Sequence, residues 1–266
     1  MAFWYLDPMV LLSLLAVMGA YLLGVGPLRQ RYGWAERVGR GRVLSFALGM
    51  LALAAALISP LHEVGERFLF TAHIIQYELL TLVAAPLLLV GTPGWLLRPL
   101  LRLPGALPAA RALTHPVTCY GLFGLVFALW HVPLFFAALL EQPVLHAAAY
   151  VVLILSAVLT WWPIFSPLPE CPRLPSVGQM VYLLAQMFPC SAIGIVVSLS
   201  DEVLFAPYAA APRLWGLSAL ADQQIGGVIM WGGGNLFWMV AAVIVFFIWA
   251  DRQEAQSPGG AAPASR

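Results

Sequence analysis

Charge is what this sequence has least of. Only 9% of its 266 residues are charged, against about 25% in a soluble globular domain. Lysine is missing altogether, and all thirteen basic residues are arginine. A net charge of +1 leaves no basic excess with which to hold nucleic acid. Cysteine is scarce too. Cys119, Cys171 and Cys190 form no CxxC and no metal-like spacing, and Cys119 and Cys190 fall inside apolar runs, where a thiol reads as a small packing group. No basic residue precedes the first apolar run, and no small-residue cleavage site follows it. The opening therefore reads as a retained helix with its amino terminus outside, not as a cleavable signal.

What fills the chain instead is apolar: 62% of residues are hydrophobic, and the mean hydropathy is +0.89. No soluble core hides that much surface, so lipid is the expected solvent for most of it. Seven stretches approach the ~20 residues a bilayer span needs. They run about Pro8–Pro27, Val43–Ser59, Arg67–Gly91, Pro116–Ala138, Leu145–Phe165, Gln179–Leu199 and Leu220–Ala250. The expected fold is an all-α, polytopic bundle of seven transmembrane helices over residues 1–252. Residues 253–266, rich in Pro, Gly and Ala, read as a disordered cytoplasmic tail.

Arginine gives the bundle a direction. Eleven arginines fall in alternate loops and the tail, and only Arg67 and Arg213 fall on the opposite side. Basic loops stay cytoplasmic, which puts the amino terminus outside and the carboxyl terminus inside. Trp4, Tyr5, Trp34, Trp95, Trp161, Trp162 and Trp215 lie near expected helix ends, as interfacial aromatics do, while Trp130, Trp231 and Trp238 lie deeper.

Ionisable groups inside a membrane are costly and are functional candidates by default. At ~1.5 Å per residue, His73 lies about 9 Å along the third segment and His131 about 22 Å along the fourth. With the orientation above, His62, His73, His131 and His146 share the outer level, and only His115 lies on the cytoplasmic side. Two spacings repeat: His73 and Tyr77, and His146 and Tyr150, are both His-x-x-x-Tyr, so each tyrosine shares a helix face with its histidine. Such a pair can hold a metal weakly, or the hydroxyl can simply satisfy a buried polar neighbour. Glu78 stands about 140° around the helix from His73 at ~100° per residue and so faces a different neighbour. Proton relay, ligand and neutral structural acid all stand as readings of it. Pro133 frees a backbone carbonyl near His131, so a hydrogen-bonded core histidine is the alternative to a ligand there. Asp222 fits an N-cap for the seventh segment. Met230, two turns beyond Gln223, is either packing or a soft ligand suited to Cu(I). The run Trp231-Gly232-Gly233-Gly234-Asn235 either admits a close neighbour or breaks the last helix.

Taken in order, several stretches resemble the CtaG-type cytochrome c oxidase assembly factors. They are Leu6-Asp7-Pro8 with Tyr21-Leu22-Leu23-Gly24-Val25, then Ser59-Pro60-Leu61-His62-Glu63, Thr71-Ala72-His73-Ile74-Ile75-Gln76 and Ala85-Pro86-Leu87-Leu88-Leu89-Val90-Gly91-Thr92-Pro93. Trp130-His131-Val132-Pro133, Leu145-His146, Trp161-Trp162-Pro163 and Asp222-Gln223-Gln224-Ile225-Gly226-Gly227-Val228-Ile229-Met230-Trp231 continue the series, which covers nearly all of residues 1–250. The resemblance implies a seven-helix protein of the bacterial inner membrane. It implies a role, not enzymatic, in maturing a copper-containing oxidase, with an oxidase subunit or a periplasmic copper chaperone as partner. It points to His73, His131 and His146 as copper ligands, with Asp222 and Met230 nearby and His62 a weaker match. Tyr77 and Tyr150 depart from the family pattern, which has histidine at both places. Glu78 replaces an apolar residue, and Ala149 stands where the pattern often has Glu. The paired losses imply an altered metal site, an altered metal or a lost one. Two other readings of the same residues are a haem b clamped between histidines of different helices and a proton or solute pathway through Glu78.

Overall fold

The structure, a computed structural model, describes residues 7–256. Trp4, Tyr5, Leu6 and residues 257–266 of the expected tail lie outside the described residues. Among those described the chain is helical, with no strand. Helix α1 (Pro8–Leu23) passes through a kinked π-helical turn at Gly24–Leu28, where Gly26 leaves helical backbone (φ −99°, ψ −106°), into α2 (Arg29–Tyr32), and α3 (Arg40–Leu57) returns. A short α4 (Pro60–Arg67) leads into α5 (Phe70–Glu78), a second π-turn at Leu79–Ala84, and α6 (Ala85–Gly91). Then come α7 (Gly94–Leu101), α8 (Ala106–Leu113), α9 (Pro116–Trp130), α10 (Pro133–Glu141) and α11 (Pro143–Phe165). The chain closes with α12 (Ser176–Ala185), α13 (Met187–Leu199), α14 (Ala206–Ala210), α15 (Ala219–Val228), a third π-turn at Ile229–Gly233, and α16 (Gly234–Gln256).

Six of the resulting continuous helices are long and apolar enough to cross a membrane, and a seventh arises if the bent pair α8–α9, at 67°, counts as one span. Large apolar side chains stay exposed along them, among them Leu12, Leu51, Val152, Val196 and Phe247. In water that surface would be untenable; in lipid it costs nothing.

Proline sets many of the starts. Pro8, Pro60, Pro116, Pro133 and Pro143 each open a helix, where the missing N–H would be unpaired anyway. Asp7 and Ser59 cap the first two of these with their side chains. The same rule breaks the expected fourth segment. Pro133 pushes Val132 into extended backbone (φ −79°, ψ 116°), and His131 ends α9 at φ −102°, ψ 7°. The stretch expected as one helix over Pro116–Ala138 is therefore two, with His131 at the joint.

Two further expectations are corrected. Trp161 and Trp162 do not sit in an interfacial belt. Both are buried, Trp161 stacking on Trp238 at 4.6 Å and donating Nε1–H to the Thr81 carbonyl inside the second π-turn. The tail expected from residue 253 begins as helix, since α16 continues to Gln256. The arginine-bearing loops do gather at one end: Arg98 pairs with Glu170 at 3.1 Å, Arg111 donates to the Glu170 carbonyl, and Trp34 lies 6.3 Å from Trp95.

Candidate functional site

The opposite end of the bundle carries the polar cluster, and its centre is a residue the spacing arguments passed over. Glu66 lies on the last turn of α4, a short helix that reads in sequence as loop between two spans. Its Oε1 stands 3.3 Å from His62 Nδ1, 3.2 Å from His146 Nε2, and accepts the Tyr150 hydroxyl at 3.2 Å. The His146 approach is at ion-pair distance without hydrogen-bond geometry. Gln76 Nε2 meets His62 Nδ1 at 2.9 Å. Residues of α4 and α11 thus converge on one carboxyl, with Gln76 of α5 reaching it through His62. A signal for this existed: Ser59-Pro60 is a helix start, and His62 and Glu66 stand four apart on the helix that follows.

Burial pushes the Glu66 carboxyl up to about 7; the Tyr150 hydrogen bond and Arg67 pull it back, and Glu63 adds to the rise. Burial also holds the His62 imidazole below its ordinary range, with Asp7 opposing that shift and Arg67 reinforcing it. A proton shared over Glu66 fits the contacts. If Gln76 donates to His62 Nδ1, that nitrogen has no proton to offer, and the 3.3 Å approach to Oε1 is relieved when Glu66 carries one.

His73 and His131 lie deeper, 3% and 8% exposed. His131 Nδ1 meets the Phe127 carbonyl at 2.7 Å, which fixes Nδ1 as the donor and leaves Nε2 as the lone-pair nitrogen. That Nε2 is buried without a partner, and so is His73 Nδ1. The Trp130 ring packs near both levels, 5.7 Å from the His73 ring and 6.1 Å from that of His146. Among the described residues no three His, Cys, Asp or Glu side chains form a group that could hold a metal ion.

The two His-x-x-x-Tyr pairs turn out to do different things. His146 and Tyr150 lie ring to ring at 4.9 Å, and both reach Glu66. Tyr77 makes no such contact. It sits edge-on to His131 at 5.7 Å, its hydroxyl buried and unpartnered.

Asp222 does not cap its own helix. Ser218 does that, accepting from Ala221 N–H. The fully buried Asp222 carboxylate instead accepts from Phe70 N–H at 2.7 Å and Thr71 N–H at 3.0 Å, the free donors at the start of α5. It fixes the helix that carries His73.

Glu78 and Met230 belong to a second, deeper polar node. A void of about 10 Å³ is lined by Tyr77, Glu78, Cys190, Met230, Gly234 and Trp238 among others. Glu78 Oε1 and Trp238 Nε1 are buried there without partners. The different neighbour that Glu78 faces is the glycine run, for a Cβ on Gly234 would come within 3.3 Å of Oε1. Two π-turns, Leu79–Ala84 and Ile229–Gly233, flank this node on facing spans, a placement π-turns often take at functional positions. Met230 thus keeps company with Glu78, away from the outer histidines where it was expected.

Residues 19–252 match the cytochrome c oxidase caa3 assembly factor family. The chain belongs to that family. Its curated relatives include the uncharacterized proteins Mb0105 of Mycobacterium bovis and MT0111 of Mycobacterium tuberculosis. Each is 25% identical over 272 residues, covering 95% of this chain. The chain spans 40% of the length of those relatives. No solved structure matches it significantly. The family is one of cytochrome c oxidase assembly factors, and six helices of this member are long and apolar enough to cross a membrane.

Proposed function

We propose that this assembly factor works in a bacterial inner membrane, with its amino terminus outside and its carboxyl terminus in the cytoplasm, and handles copper as cargo at its outer end. The orientation rests on the arginine-rich loops gathering at the other end of the bundle. The observation that carries the copper reading is the pair of buried, unpartnered imidazole nitrogens, His73 Nδ1 and His131 Nε2, lying beneath the Glu66 cluster. An imidazole whose other nitrogen is already engaged, as in His131, is oriented as metal-bound histidines are.

Neutral imidazole suits copper. His62, His146 and Glu66 would meet the ion first, and His73 and His131 offer nitrogens further in. The set is open and shared between two levels, which suits a metal passed on to an oxidase subunit, or exchanged with a periplasmic copper chaperone, better than one stored. Tyr77 and Tyr150, standing where the family pattern has histidine, weaken retention in the same direction. No residue is assigned a catalytic role.

The test is the copper content of detergent-purified protein after exposure to Cu(I), beside His73→Ala, His131→Ala and Glu66→Gln variants. Wild type carries more copper than a variant with both His73→Ala and His131→Ala, and Glu66→Gln lowers the amount loaded in a fixed exposure. Near-zero copper in wild type and variants alike would sink the metal reading while leaving the family assignment intact.

A further inference from the structure

A groove of about 580 Å³ opens at the arginine-rich end, away from the histidines and the Glu78 node. Its walls come from α11, α12 and α16. Trp161, Phe165, Phe237, Ile244 and Ile248 make it apolar along its length, and the exposed Arg173 and Arg252 line it as well. From Phe237 to Arg252 the α16 wall extends ~22 Å at ~1.5 Å per residue. That exceeds half of a ~30 Å hydrocarbon core, so the groove reaches from headgroup level toward the bilayer midplane.

Arg98 and Arg111 at the same end are engaged with Glu170. Among the described residues, the side chains of Arg173 and Arg252 make no hydrogen bond or ion pair. Asp251 and Glu254, next to Arg252 along the helix, form no ion pair with it. Two unpaired guanidinium groups over an apolar slot make the complement of an anionic amphiphile. A neutral transmembrane helix would fill the slot and leave both charges unmatched. A zwitterionic lipid would bring a cation of its own to the same place.

We propose that this groove binds one anionic phospholipid, its phosphate on Arg173 and Arg252 and an acyl chain along α16. Guanidinium suits phosphate because its donors lie in a planar fork. Basic pockets between transmembrane helices are a recurring way to hold anionic lipid.

The test is native mass spectrometry of the full chain in detergent, titrated separately with phosphatidylglycerol and phosphatidylcholine. Wild type is expected to retain one phosphatidylglycerol in preference to phosphatidylcholine. Each arginine near a membrane surface favours an anionic lipid about fivefold, so Arg173→Gln with Arg252→Gln lowers that preference about 25-fold. Ala241→Phe, which fills the groove with both arginines in place, is expected to lower binding of both lipids, and Arg102→Gln outside the groove to change neither. Equal retention of the two lipids by wild type, or an unchanged preference in the double arginine variant, would overturn the proposal. So would stable capture of a partner helix in the groove with no dependence on either arginine.

Discussion

The Asp222 carboxylate holds the Phe70 N–H at 2.7 Å across 152 positions of sequence, so the last span caps the third. Thr71 reinforces the joint, its N–H donating to Oδ1 and its hydroxyl to the Asp222 carbonyl. Gly226, one turn further along α15, packs its bare Cα against Phe70 and Thr71, where a Cβ would collide. Replacing Asp222 with alanine strands two buried donors, at about 1–3 kcal/mol each. Thermal unfolding in detergent should show a clear loss of stability for Asp222→Ala and a smaller one for Asp222→Asn, which keeps an acceptor oxygen. A midpoint unchanged in the alanine variant would mean the cap contributes nothing.

Glu66 makes stability depend on pH, with a definite sign. Its folded-state value, about 7, is raised above the ordinary carboxylate range, chiefly by burial. Between the ordinary value and about 7 the folded protein binds more protons than the unfolded chain. Stability therefore falls as pH rises through that window and levels off above it. Glu66→Gln should flatten this slope in thermal melts taken from pH 5 to 8. A slope preserved in the variant would assign it to other groups.

Tyr150→Phe should move the same titration upward. The Tyr150 hydroxyl stabilises the ionised Glu66, and its loss leaves burial less opposed. A hydrogen bond to a charged group contributes about 1.5–3 kcal/mol, or roughly one to two pH units. The carboxyl stretching band in infrared difference spectra, followed against pH, reads the midpoint directly; a downward shift would contradict the geometry.

Gly91 and Gly19 form a matched pair of opposite sensitivity. A Cβ on Gly91 would run into the Phe46 backbone where α6 crosses α3, while a Cβ on Gly19 meets nothing within 4 Å. Gly91→Ala should cost about 1–3 kcal/mol or abolish accumulation of folded protein. Gly19→Ala should be neutral or slightly stabilising, since alanine favours helix. Equal melting points for the two variants would show that the α3–α6 contact yields freely.

Much of the bundle is legible in hydropathy because the membrane solvent enforces it: a span must be long, apolar and internally hydrogen-bonded. Segment five, expected over Leu145–Phe165, differs from α11 by two residues at its start. What hydropathy misses is set by tertiary partners. The split at His131 follows from Pro133, a local signal outweighed by the apolar run around it. Asp222 reads as a cap for its own helix and caps α5 instead, because side-chain reach across helices leaves no mark in spacing. Glu66 falls in a short polar helix between spans, and hydropathy discards such segments. The packing of the histidines is not legible, since Trp130 stands beside His131 in sequence yet lies near both His73 and His146 in space.

The π-turns at Leu79–Ala84 and Ile229–Gly233 give the third and seventh spans an unusual relation to insertion and deletion. A π-turn is an α-helix carrying one surplus residue, accommodated without breaking the rod. Removing that residue lets the turn tighten to ordinary α-helix, so the faces before and after it stay in register and the span keeps nearly its length. A residue lost from regular α-helix has no such slack and swings everything beyond it by ~100°. In the seventh span that swing would part Asp222 and Gln223 from Asn235 and Trp238, and in the third His73 and Glu78 from Ala85 and Leu89. The two π-turns are therefore places where a single-codon deletion is absorbed without re-aiming half a helix.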